Sequence, residues 1–131
     1  MASVLREIII DCHDPRRLAR FWSDVLGWPV TDDPDGSSWL SESGREAPEE
    51  FVLLFVVVPE PKTVKNRIHL DVNPLGCDQA EELERLLALG ARPVDVGQGD
   101  ETWVVLADPE GHEFCLLRQR VDRERAASRG R

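Results

Sequence analysis

Short apolar runs alternate with two amphipathic stretches along the chain, and the whole order occurs twice. Val4–Cys12 contains Ile8, Ile9 and Ile10, β-branched residues that suit a buried strand. Asp14-Pro15 then provides an N-cap and a first helical residue. Leu18, Phe21, Trp22, Val25 and Leu26 follow at i, i+3, i+4, i+7 and i+8, one apolar stripe of a helix that Gly27 ends. Trp28–Thr31 and Ser37–Ser41 read as short strands around the turn-rich Asp32–Gly36, Ser43–Glu49 as a polar loop, and Glu50–Val58 as a strongly apolar strand. Pro59–Lys65 reads as a linker with little to pack.

The second half repeats this order. Arg67–Val72 is a strand, Asp78 with Glu81 resembles a capping box, and Ala80, Leu83, Leu86, Leu87 and Leu89 form the apolar side of a second helix closed by Gly90. Ala91–Val96, Thr102–Ala107 and His112–Leu117 are the remaining strands. The halves align at a nearly constant offset. Leu26-Gly27 matches Leu89-Gly90 at 63, Glu50–Leu54 (EFVLL) matches Glu113–Leu117 (EFCLL) at 63, and Pro29-Val30 and Trp39 match Pro93-Val94 and Trp103 at 64. Four matched points in sequence predict a duplicated βαβββ unit. Each helix then covers one face of its sheet, and the opposite faces are free to enclose a cleft.

Composition narrows the class. At 131 residues, 41% hydrophobic and 31% charged, the chain is one soluble globular domain. No apolar run reaches membrane-spanning length, and no signal-peptide core opens the chain. Cys12, Cys77 and Cys115 form neither an even framework nor a CxxC pair, which predicts a reducing, cytoplasmic setting. The net charge is −9, yet from Arg118 onward six Arg face only Asp122 and Glu124, so the body is more acidic than the whole. An acidic body argues against nucleic acid or anionic membrane as the partner. The basic segment 119–131, without aromatics, reads as a disordered tail.

DCHDPRRLARFWSDVLGW after the first strand, KNRIHLDV opening the second unit and ADPEGHEFCLL closing it resemble the vicinal oxygen chelate superfamily, and most closely its glyoxalase-like domain branch within the glyoxalase and bleomycin-resistance family. The resemblance covers roughly residues 3–118. It implies an α+β fold with two βαβββ modules, about 3–58 and 66–118 joined by a 59–65 linker, whose eight strands form a curved, partly open barrel around a cleft. It also implies a homodimer. In metal-using members each module gives two ligands, one from its first strand and one from its last. Carried over by position, these are Glu7 and Val52 in the first module and His69 and Cys115 in the second. Strand parity agrees: Glu7, Ile9 and Asp11 share one face, His69 and Asp71 another, and Glu113, Cys115 and Leu117 point the same way while Phe114 and Leu116 pack beneath a helix.

Two functional classes follow. Val52 cannot ligate, and Cys115 stands where catalytic members carry glutamate. The first reading is therefore a binding module, without a cofactor, that holds a planar or amphipathic small molecule between the modules in sequestration or resistance. Its cleft would be walled by Trp39, Trp103, Asp11, Val52, Asp71 and Glu113. The second is a glyoxalase-like lyase or isomerase in which Glu7, His69 and Cys115 hold Zn, Mn, Fe or Ni with an open position, Glu7 and His69 being catalytic. Without metal, His69 beside Asp71 can serve as a general base, or simply as a hydrogen-bonding wall residue. Trp22 and Trp28 belong to the core, His112 to a turn, and His13 to the surface.

Overall fold

The computed structural model describes residues 1–97, 99 and 101–123, which form two compact units, Met1–Pro61 and Lys62–Arg123. The expectation for the tail beyond residue 123 lies outside the described residues. The order is β1 (Glu7–Cys12), α1 (Pro15–Leu26), β2 (Val30–Asp32), β3 (Ser38–Ser41), β4 (Val52–Val57), then β5 (Leu70–Val72), α2 (Gln79–Leu89), β6 (Arg92–Pro93), β7 (Val104–Ala107) and β8 (Glu113–Leu116). This is βαβββ twice, in an α+β fold. Each unit holds one four-stranded sheet, ordered β1-β4-β3-β2 in the first and β5-β8-β7-β6 in the second. The outer pairs β1–β4 and β5–β8 are parallel and the rest antiparallel, so both units share one topology.

In the first unit α1 begins where the sequence places it. The Asp14 carboxylate accepts from the Arg17 N–H at 3.2 Å, Pro15 starts the helix, and Gly27 closes it at φ 72°, a left-handed conformation that a side chain would strain. Leu18, Phe21, Trp22 and Val25 are buried, with the Phe21 and Trp22 rings edge to face at 5.5 Å. Against this stripe lie Leu40, Leu53 and Phe55 on one face of the sheet. Asp32 of β2 binds Arg16 and Arg20 of α1 and accepts from Ser38 Oγ; the Arg20 hydrogen bond leads in holding its carboxyl well below the ordinary range. The opposite face carries Glu7, Ile9, Asp11, Val52, Leu54, Trp39 and Ser41, in agreement with the alternation in the sequence.

The second unit departs further from expectation. On α2 the buried residues are Leu86 and Glu82, whereas Ala80 and Leu87 face solvent. Glu82 tolerates burial because Arg85 binds both its oxygens at 2.8 Å. Strand β5 begins only at Leu70 and not at Arg67, since the chain over 66–69 folds back so that His69 Nε2 lies 2.8 Å from the Asn66 carbonyl. Strand β6 is two residues rather than six, and its Pro93 sits on the edge of the sheet, where no ladder donor is required. Beyond β8 the chain is held, not free, as far as Val121: it bridges to Leu75, and Asn73 donates to the Gln119 carbonyl. Among the described residues no helix is long and apolar enough to cross a membrane.

Candidate functional site in the second unit

The turn Asp108–Gly111 sets up the site. Asp108 is fully buried, and its Oδ1 accepts from the backbone N–H groups of Glu110 and His112 at 2.9 and 3.0 Å. Gly111, at φ 92°, lets the chain reverse into β8. The side chains of β8 then alternate. Phe114 and Leu116 are buried toward the apolar side with Leu106, while Glu113 and Cys115 face the other way beside Val105.

On that second face lies a cavity of about 250 Å³ lined by Lys65, His69, Val96, Gly97, Trp103, Val105, Glu113 and Cys115. Four of these (His69, Trp103, Glu113 and Cys115) are among the residues singled out in the sequence. Lys65, Val96, Gly97 and Val105 are not. Lys65 comes from the segment read as an idle linker, and that reading is corrected here. Lys62 of the same segment is largely buried and pairs with Glu113 at 2.9 Å, while the Asn66 N–H donates to the other Glu113 oxygen at 2.9 Å. Asn66 Nδ2 also lies 3.3 Å from His112 Nδ1. Residues 62–66 are therefore a strap stitched to the start of β8, which places Lys65 at the cavity.

Burial alone would raise the Glu113 carboxyl, but the Asn66 N–H and the Lys62 ammonium outweigh it and hold the group below its ordinary value of 4.5. The folded state thus binds fewer protons here than the unfolded chain. Its contribution to stability is complete above pH 4.5 and is lost as pH falls through the folded value. Urea unfolding of the parent and Glu113→Gln across pH 3–7 checks this. The parent is expected to be more stable near neutrality, and that margin should shrink as the pH falls below 4.5.

His69 has two neighbours, and both meet the same nitrogen: Asn66 O at 2.8 Å and Lys65 Nζ at 2.9 Å from Nε2. Asp71, expected as its orienting carboxylate, instead stands opposite Cys115 in the β5–β8 register. Burial first, and then the Asp71 charge and hydrogen bond, push the Cys115 thiol up, so it is a neutral S–H at neutral pH. The register also shifts the correspondence between units. Glu7 pairs with Val52 in β1–β4, whereas Cys115 pairs with Asp71, and His69 falls one residue before β5. In the first unit, Glu7 and Asp11 are exposed, Val52 is buried, and Trp39 is buried with its Nε1–H unpaired among the described residues.

The donors set out for a divalent metal fit poorly. Val52 offers no lone pair, and the His69 nitrogen is engaged beside an ammonium. Among the described residues no group of three or more His, Cys, Asp or Glu side chains gathers to hold a metal ion.

Comparison with known proteins agrees with this architecture. The profile of the glyoxalase-like domain family matches residues 7–117. The fosfomycin resistance protein FosX of Listeria monocytogenes superposes with a TM-score of 0.64 at 17% identity, over 91% of this chain and 93% of that one. A glyoxalase-related enzyme from Fulvimarina pelagi superposes at 0.60 and 20% identity, over 88% and 87%. FosX complexed with Mn(II) and sulfate superposes at 0.57 and 17% identity, over 88% and 92%. No curated protein matches in sequence. With the family profile spanning both βαβββ modules, the chain belongs to the glyoxalase-like domain family of the vicinal oxygen chelate superfamily.

Proposed function

We propose that this protein binds a small, planar or amphipathic molecule in the cavity of its second unit, without a metal ion, in a sequestering or resistance role. The observation that carries the reading is the cavity itself: Trp103, Val96 and Val105 give it aromatic and apolar walls, and a few polar groups converge on it. At about 250 Å³ it lies just below the roughly 300–1,000 Å³ of sites for drug-sized ligands, which fits a small metabolite or antibiotic. The fold likeness to FosX, a fosfomycin resistance protein, supports the physiological side of the proposal. Trp39, Asp11 and Val52 are further candidate contacts on the face of the first unit's sheet turned away from α1. We also propose a cytoplasmic homodimer. Val4, Leu5 and Ile9, more than half exposed, give the first unit apolar surface for such a contact, and light scattering measures the dimer directly.

The second reading is a metal-dependent lyase or isomerase using Glu7, His69 and Cys115, favoured by the Mn(II) complex of FosX. Metal analysis of protein purified without chelators separates the two. The expected result is no stoichiometric metal and no thermal shift on adding Zn, Mn, Fe or Ni. Stoichiometric metal that disappears in His69→Ala would overturn the metal-free binding reading in favour of this one.

A further inference from the structure

We infer that the molecule taken by the second unit's cavity is an oxyanion (a carboxylate or phosphonate on a planar body), with Lys65 as its anchoring cation. The inference rests on the proposal that this cavity binds a small molecule, and adds its charge.

A lysine ammonium carries three donors and no acceptor. Lys65 forms no ion pair among the described residues, and its hydrogen bond is the 2.9 Å contact to His69 Nε2. That contact is compromised. The same nitrogen lies 2.8 Å from the Asn66 carbonyl, and one imidazole nitrogen cannot both donate to an oxygen and accept from an ammonium. Whichever tautomer His69 adopts, one of the two contacts is unmet. Lys65 is the partner able to resolve this, being an exposed side chain on a flexible stem.

The carboxylates nearby do not meet its charge. Glu113, which lines the cavity, is committed to Lys62 and to the Asn66 N–H. Asp71 faces the Cys115 thiol. An incoming oxyanion would accept from Lys65 and draw it off His69, whose Nε2–H is then free to donate to Asn66. Trp103 supplies the indole surface beside this charge, and Val96 and Val105 the apolar floor for the rest of the ligand.

Titration of the full chain with benzoate, phenylphosphonate and the neutral isostere benzamide in low-salt buffer tests this, read by NMR at the Gly97 amide and the Trp103 indole N–H. Benzoate or phenylphosphonate is expected to bind about tenfold more tightly than benzamide. Lys65→Met should bring that ratio close to one and Lys65→Arg should keep it; the position is exposed, so neither variant threatens folding. Equal binding of anion and amide by the parent, or a preference that survives in Lys65→Met, overturns the inference and leaves the cavity proposal standing. If no probe, charged or neutral, moves either resonance, the cavity proposal falls with it.

Discussion

Phe114→Ala is expected to lower the unfolding free energy by about 3–5 kcal/mol, the loss typical of deleting a buried aromatic ring. Phe114 is 1% exposed and lies in register with Leu70 on one side and Leu106 on the other. Leu106 and Leu116 on the same face are fully buried, so the neighbours have little freedom to collapse into the space left behind. Its chain neighbour Cys115 points to the cavity and is only partly buried. Cys115→Ala removes a small group from a partly exposed cavity wall, and the expected cost is below about 1 kcal/mol. Urea melts of the two variants, side by side, read out the two faces of β8. A similar loss in both would mean that β8 is not divided into an apolar and a cavity side.

Asp108→Ala is the second large effect. Two backbone N–H groups donate to one oxygen of a fully buried carboxylate, and alanine leaves both without an acceptor. Hydrogen bonds to a charged acceptor contribute more than neutral ones, so the expected loss is about 3 kcal/mol. For a domain of this size that corresponds to roughly 10 °C in melting temperature. Asp108→Asn retains an oxygen acceptor and is expected to lose less than half as much. Calorimetry on both variants checks the order. Equal losses would show that the charge, and not the acceptor geometry, holds the turn.

Much of this architecture is legible in the residues alone, and the reasons are local. The α1 stripe could be read because Leu18, Phe21, Trp22 and Val25 recur at helical spacing and nothing polar interrupts them. The faces of β1 and β8 follow from a period of two, which no tertiary context alters. The duplication was visible because EFVLL and EFCLL fall on equivalent strands, β4 and β8. Where the reading failed, a specific pairing of side chains or strands decided the outcome. Glu82 lies outside the apolar side read for α2, yet it is buried, with Arg85 three residues on binding both its oxygens. His69 aligns with Glu7 by counting, yet the β5–β8 register puts Asp71 opposite Cys115, because pairing and not spacing sets a strand's neighbours. Lys62 and Lys65 look like linker charge until Glu113, some fifty positions away in the chain, claims one of them. The signal was available in a weaker form: two lysines between prolines and a histidine strand is a cationic stretch leading directly into the expected site. The cavity wall at Val96 and Gly97 was not legible, since its shape depends on loop conformation.

The strap over 62–66 divides the cavity into parts that evolution can treat separately. Glu113 joins it to the sheet, so a change there alters the fold and the pocket together. Lys65 carries no such burden: it reaches the cavity from the outside of an already anchored segment. If the proposed anion site holds, a substitution at 65 changes the charge of the ligand accepted while the scaffold keeps its stability. A fixed floor beneath a replaceable rim is how one small fold can serve many different ligands without being rebuilt.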